Sequence, residues 1–192
     1  MHPNPTFSLA TPEDFQSILA LQEQNLRWKL PPEKLKDGFL SIEFTAAMLA
    51  EVIEDLAIVT AKVGQTLAGY RMAQSIEFNR RFPLVSQIID LFPQLKFHKR
   101  PLSSWRTFIS GPYCVAEEFR GRGILEGLFD AMCNVTRQRY EVGVTFISRA
   151  NPRSLKAAQS KLHYTPLTQI KFNENEYLVL AFPVVSNLGR DL

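Results

Sequence analysis

Arg120-Gly121-Arg122-Gly123-Ile124-Leu125 follows the apolar run Tyr113-Cys114-Val115-Ala116 and opens a helical pattern from Ile124 to Tyr140. The order is strand, glycine turn, helix. A helix start carries unpaired backbone N–H groups and the positive end of the macrodipole. Glycines allow close approach of a ligand and conformations barred to other residues. Together these make a cradle for a phosphate or pyrophosphate. On the local pattern alone, a surface turn with two glycines and two solvated arginines explains the residues equally well.

The wider context favours the cradle. Val115-Ala116-Glu117-Glu118-Phe119-Arg120-Gly121-Arg122-Gly123-Ile124 resembles the acyl-CoA-binding signature of the GCN5-related N-acetyltransferases (GNAT). Asn151-Pro152-Arg153-Ser154-Leu155-Lys156-Ala157, running on to Lys161-Leu162-His163-Tyr164, resembles the second motif of that family. The two stand in the family's order, separated by the helix and by an apolar strand, Val144–Ser148. The resemblance is specific from Thr107 to Phe182. It implies an α/β fold with a central, mixed but mostly antiparallel sheet of about seven strands. That sheet is splayed between strands four and five and flanked by about four helices.

The resemblance also implies acetyl-CoA, or another acyl-CoA, as co-substrate. Val115, Arg120, Gly121, Arg122, Gly123, Ile124, Leu125, Asn151 and Ser154 are the residues expected to hold it. The acceptor it implies is an amine on a small molecule or peptide. Three positions depart from the family pattern. Leu125 stands where the family prefers Gly or Ala, and bears on the phosphates or on the helix start. His163 stands where Gly is usual, in a motif one residue longer than its common form. Many relatives carry a tyrosine midway along this last helix as general acid; here the matching places are Ala158 or Gln159.

The 192 residues are enough for one domain with a substantial core. We expect a single domain over residues 1–192, with an insertion at 77–104. Net charge is small, 22 Lys and Arg against 19 Asp and Glu, and no basic stripe accompanies it, so a nucleic-acid partner is not expected. No apolar run approaches the roughly 20 residues of a membrane span. Met1-His2-Pro3-Asn4-Pro5 has no basic segment followed by an apolar core, and Cys114 and Cys133 read as buried small hydrophobes. A cytoplasmic location is the expectation.

The remaining elements follow from local signals. Phe7–Ala10 reads as a first strand, and Thr11-Pro12-Glu13-Asp14 starts a helix with a capping box. Asn25–Leu40 reads as a loop with a helical turn, and Thr45–Glu54 as a second helix. Leu56–Ala61 and Leu67–Ile76 form a hairpin around Gly64. In most relatives a short turn follows. Here Glu77–Ser104 intervenes, with an apolar helix over Pro83–Phe92. That helix is either a wall for the acceptor or a packing or dimer-contact surface. Trp105–Val115 reads as a strand with a bulge at Gly111-Pro112, or as a simple edge strand, and Pro166–Phe172 with Tyr177–Val184 as a closing hairpin.

Acyl transfer from a thioester to an amine needs a polarised carbonyl, a deprotonated amine and a stabilised thiolate. A backbone N–H near Val115 can polarise the carbonyl. Tyr113, Glu117 and Glu118 are the ionisable residues near the strand, and alternation puts Tyr113 on the face of Val115. Tyr113 is the candidate catalytic residue; an ordinary strand aromatic is the competing account. Glu117 and Glu118 read as solvated, His163 as a helix-terminus residue, and His2 and His98 belong to no constellation. No metal cluster is expected. Two other readings stay open: a non-catalytic acyl-CoA-binding module of the same fold, and an unrelated phosphate or nucleotide binder.

Overall fold

The structure is a computed structural model that describes residues 4–185. His2 and most of the Met1–Pro5 stretch lie outside the described residues. In chain order the elements are β1 (Pro5–Leu9), α1 (Phe15–Glu23), α2 (Ala46–Asp55), β2 (Ala57–Val63), β3 (Thr66–Gln74), α3 (Ile76–Asn79) and α4 (Pro83–Asp90). Then come β4 (Lys96–Phe97), β5 (Arg100–Pro101), β6 (Thr107–Val115), α5 (Ile124–Thr136) and β7 (Val142–Ser148). α6 (Pro152–Lys156), β8 (Thr165–Phe172) and β9 (Asn175–Pro183) close the chain. Seven strands form one sheet in the order β1-β2-β3-β6-β7-β9-β8, while β4 and β5 make a separate hairpin. β6–β7 is a parallel pair; β1–β2, β2–β3, β7–β9 and β8–β9 are antiparallel. This is the expected α/β fold with its mostly antiparallel seven-stranded sheet.

The chain divides into two compact units. One comprises residues up to Ala73 with Gly111–Val135; the other comprises Gln74–Ser110 and the residues from Thr136 on.

In the first unit, Asp14 caps the start of α1 by accepting the Thr11 N–H at 3.0 Å, as the capping-box reading required. Thr45 caps α2 by accepting the Met48 N–H. Gln22, buried at the end of α1, bonds both the N–H and the C=O of Phe44 at 2.8 and 2.9 Å. β2 and β3 are joined by the two-residue turn Gly64-Gln65. The backbones of β3 and β6 approach so closely that a Cβ on Gly69 would lie 2.7 Å from the Cys114 carbonyl oxygen. Only glycine fits there.

In the second unit, the parallel ladder of β6 and β7 covers Thr107↔Val142 to Ile109↔Val144 and stops just before Gly111-Pro112. β7 pairs with β9 along its whole length, from Val142↔Pro183 to Ser148↔Tyr177. The insertion supplies the core here. Val85, Ile88, Ile89 and Phe92 from α4 and its end, with Phe97, Leu102 and Trp105, pack on Val142, Val144, Val179 and Ala181. The amphipathic spacing of α4 puts its apolar stripe on the sheet. The apolar stripe of α4 is covered by β7 and β9, which is the packing that one of the two readings of this helix described.

Several expected boundaries shift: the strand expected over Leu67–Ile76 ends at Gln74 with Ile76 opening α3, and the one expected from Trp105 begins at Thr107. The helix expected to reach Tyr140 ends at Thr136, because the Arg139 and Tyr140 N–H groups both donate to the Thr136 carbonyl and close a turn. The Tyr140 ring instead meets Phe108, with centroids 5.4 Å apart. The first strand runs Pro5–Leu9 rather than Phe7–Ala10, because β2 offers a ladder partner as far as Val63.

Candidate functional site

β6 ends at Val115, a 3-10 turn follows at Glu117–Phe119, and Arg120-Gly121-Arg122-Gly123 leads into α5. Gly121 and Gly123 have φ of +77° and +76°. A Cβ on either would meet nothing within 4 Å. Glycine is therefore required by backbone conformation, not by crowding. The space over the turn is open, and the thirteen-residue helix α5 begins directly after it. Ile124 is buried and Leu125 half-buried. Despite Leu125, the helix starts where the motif puts it. Strand, open glycine turn and helix N-terminus thus follow one another in the order expected from the sequence.

The Arg120 side chain turns inward. Its Nε donates to the Val115 carbonyl at 3.1 Å and its Nη2 to the Asn25 Oδ1 at 3.3 Å. The Arg120 backbone N–H is also engaged, donating to the Glu117 carbonyl at 3.2 Å. The Arg122 side chain is exposed, with its guanidinium 5.6 Å from the Phe119 ring centroid. Glu117 and Glu118 are exposed, and Glu117 pairs with Lys34 at 3.4 Å.

Tyr113 lies under an arginine that the sequence reading did not single out. The Arg71 guanidinium is 5.1 Å from the Tyr113 ring centroid and 5.5 Å from that of Phe129. Arg71 is fully buried, and the Tyr113 hydroxyl is shielded from solvent. The signal for Arg71 was a single charge inside the apolar strand Leu67–Ala73, which cannot stay buried without company. Burial pushes the Cys114 thiol up to about 12 and the Cys133 thiol up to about 11, so neither is a nucleophile at neutral pH.

In the second unit, Asn151 caps α6: its Oδ1 accepts the Ser154 N–H at 3.2 Å, and Pro152 occupies the first helical position. The structure thus joins Val115 with Arg120, and Asn151 with Ser154. The extra residue of this motif is absorbed by a π-helical turn over Ala157–Lys161, closed by the Leu162 N–H on the Ala157 carbonyl at 3.1 Å. His163 then takes a left-handed conformation, φ +53°, at the position where relatives place glycine. Ala158 is buried and Gln159 exposed. Tyr164, the next tyrosine along, stacks on Phe182 at 4.5 Å and belongs to the core. Among the described residues, no group of three or more His, Cys, Asp or Glu is placed to hold a metal ion. Among them too, no helix is long and apolar enough to cross a membrane.

No protein-family model and no curated protein matches the chain. Solved structures of N-acetyltransferases share its fold. One is an N-acetyltransferase from Staphylococcus aureus Mu50, with a TM-score of 0.60 at 16% identity over 95% of this chain and 99% of that one. A second is NAA60 from Arabidopsis thaliana in complex with acetyl-CoA, with a TM-score of 0.62 at 11% identity over 94% and 98% of the two chains. A third is the ribosomal-protein-S18-alanine N-acetyltransferase from Escherichia coli, with a TM-score of 0.59 at 12% identity over 98% and 99%. The chain has the fold of the GNAT N-acetyltransferases.

Proposed function

We propose that this protein is a GNAT-family, acyl-CoA-dependent N-acyltransferase of the cytoplasm. It transfers an acetyl group from acetyl-CoA directly to a primary amine of a small molecule or peptide. The observation that carries the reading is the turn Arg120–Leu125, whose two left-handed glycines leave open space in front of α5. Its residues fit a CoA pyrophosphate: backbone N–H groups from Gly121 to Leu125 supply donors, and the macrodipole of α5 favours the negative charge.

The acyl-CoA brings an activated thioester carbonyl. The chain's part is to position and to move protons. The end of β6 at Val115 supplies backbone N–H to polarise a carbonyl oxygen. Tyr113, whose hydroxyl is shielded from solvent, is the candidate donor to a leaving thiolate. Asn151 and Ser154 order the start of α6.

Calorimetric titration with CoA, followed by thiol release from acetyl-CoA across a panel of amines, tests this reading. A protein that binds no CoA overturns it, and competition by nucleotides instead would favour a general phosphate binder. Binding without turnover on any amine favours a non-catalytic acyl-CoA module. Ala158 and Gln159, standing where relatives carry their tyrosine acid, are the observation behind that second reading.

A further inference from the structure

The Arg120 guanidinium joins two segments far apart in sequence. One nitrogen holds the end of β6 through the Val115 carbonyl, and another holds Asn25, just past the end of α1. Asn25 is itself tied on two sides. Its Nδ2 donates to the Leu21 carbonyl at 2.8 Å, and its own carbonyl accepts the Leu40 N–H at 2.7 Å. Leu40 in turn accepts the Arg27 N–H at 2.9 Å. The connection from α1 to α2 is thereby closed on itself at Asn25, and Asn25 is where it meets the motif arginine. The Lys34–Glu117 pair runs between the same two segments, but both side chains are largely exposed, so it adds little. The Arg120–Asn25 bond has a charged donor and is partly buried, so solvent screens it less than the Lys34–Glu117 pair.

A turn with two left-handed glycines in open space loses much conformational freedom when it closes on a ligand. A brace on the residue just before those glycines lowers that cost. We propose that Asn25 is a positioning residue for the Arg120–Leu125 turn. Through it, the turn and the 25–40 connection form one thermodynamic unit. CoA bound at the turn stiffens residues 25–40, and by linkage anything that orders 25–40 tightens CoA binding. The CoA half of this rests on the acyl-CoA reading above; the brace does not.

The test pairs amide hydrogen exchange on the ligand-free protein with calorimetric CoA titration. Asn25→Ala is expected to speed exchange at Gly127, whose N–H donates to the Gly123 carbonyl at 2.9 Å and reports the start of α5. Its CoA affinity is expected to fall about five- to tenfold. Asn25→Asp keeps an acceptor oxygen for Arg120 but loses the donor to Leu21, and is expected to stay within about twofold of wild type. Arg120→Ala is expected to speed exchange at Arg27 and Leu40, and adding Asn25→Ala to it is expected to weaken CoA binding no further. In the wild type, CoA is expected to slow exchange at Arg27 and Leu40.

Additive losses in the double variant would overturn the proposal. So would unchanged Gly127 exchange, or an Asn25→Asp protein as weak as Asn25→Ala, which would reduce Asn25 to a helix-end donor. If the wild type binds no CoA while Asn25→Ala still loosens Gly127, the acyl-CoA reading falls and the brace stands. Should Asn25→Ala not fold, Asn25→Asp and Arg120→Ala decide alone: normal affinity in the first with loss in the second is expected, and the reverse overturns it.

Discussion

The guanidinium of Arg71 lies 5.1 Å from the ring centroid of Tyr113, and Arg71 is fully buried. Arg71 belongs to β3, Tyr113 to β6 and Phe129, the second ring against the cation, to α5. A desolvated cation on an aromatic face is worth about 2 kcal/mol or more. The pairing therefore holds the Tyr113 ring on the α5 side of the sheet, just past Gly111-Pro112, where strand alternation alone is an unsafe guide.

Tyr113→Phe keeps the ring face toward Arg71 and removes only the hydroxyl. Stability should change little. If the phenol protonates the leaving thiolate, kcat should fall at least about tenfold, or ~1.4 kcal/mol of barrier, with CoA affinity unchanged. Steady-state kinetics on a competent amine, beside calorimetry with CoA, measures both quantities. Full kcat in the Phe variant would exclude Tyr113 and leave water as the proton source.

Ile88 is fully buried, at 0% accessibility, among Val85, Ile89, Phe92 and residues of β7 and β9. Ile88→Ala should destabilise the protein by about 2–5 kcal/mol, the range for emptying a well-packed aliphatic site. Urea unfolding would report it. A loss under about 0.5 kcal/mol would mean that α4 is a detachable accessory and would return the acceptor-wall reading.

His163 pays for a left-handed backbone that glycine takes freely. The side chain is exposed, so little packing is lost by removing it. His163→Gly should stabilise by up to about 1 kcal/mol, the relief of a left-handed non-glycine residue less the added freedom of the unfolded chain. Thermal unfolding of the two proteins would settle the sign. A lower Tm in the glycine variant would show that the imidazole makes a stabilising interaction at the helix end.

How far the sequence could be read depended on the range of the interactions involved. The turn, the Thr11–Asp14 box, the Asn151 cap and the hairpin at Gly64 are local, and each was legible from residues within one turn of chain. The end of α5 was not, because Tyr140 leaves the helix for Phe108, thirty-two positions away in sequence. Arg71 against Tyr113, and Asn25 against Arg120, are side-chain meetings between distant elements that no periodicity encodes. The extra residue near Ala158 was visible as a count. That it would become a π turn followed by a left-handed His163 needed the backbone itself.

Both thiols are held protonated by burial, Cys114 up to about 12 and Cys133 up to about 11, against an ordinary value of 9.0. At pH 8 the Cys133 thiolate is about one part in a thousand. A thiol-disulfide colour reagent should therefore react slowly with the native protein and release two equivalents only after unfolding. Because the folded values are raised, this contribution to stability is fully present below pH 9 and lost as pH rises toward 11 and 12. Denaturation midpoints at pH 8 and pH 10.5 should fall in that order, and less steeply in Cys133→Ala. A fast native reaction at pH 8 would show that these sites open readily.

Gly123 is the position at which the acyl-CoA reading is most directly tested. Its φ of +76° is a conformation that β-branched residues rarely adopt, at a cost of about 1–3 kcal/mol, while the space around it is open. A valine there is not excluded by crowding; it forces the backbone to rotate, and the N–H groups that precede α5 rotate with it. Gly123→Val should thus fold, with modest loss of stability, and fail to bind CoA. Gly123→Ala, with a smaller left-handed penalty, should bind with intermediate affinity. Calorimetric titration of the three proteins gives the order directly. Equal CoA affinity in all three would mean that the turn does not hold the pyrophosphate, and would remove the observation on which the acyltransferase reading rests.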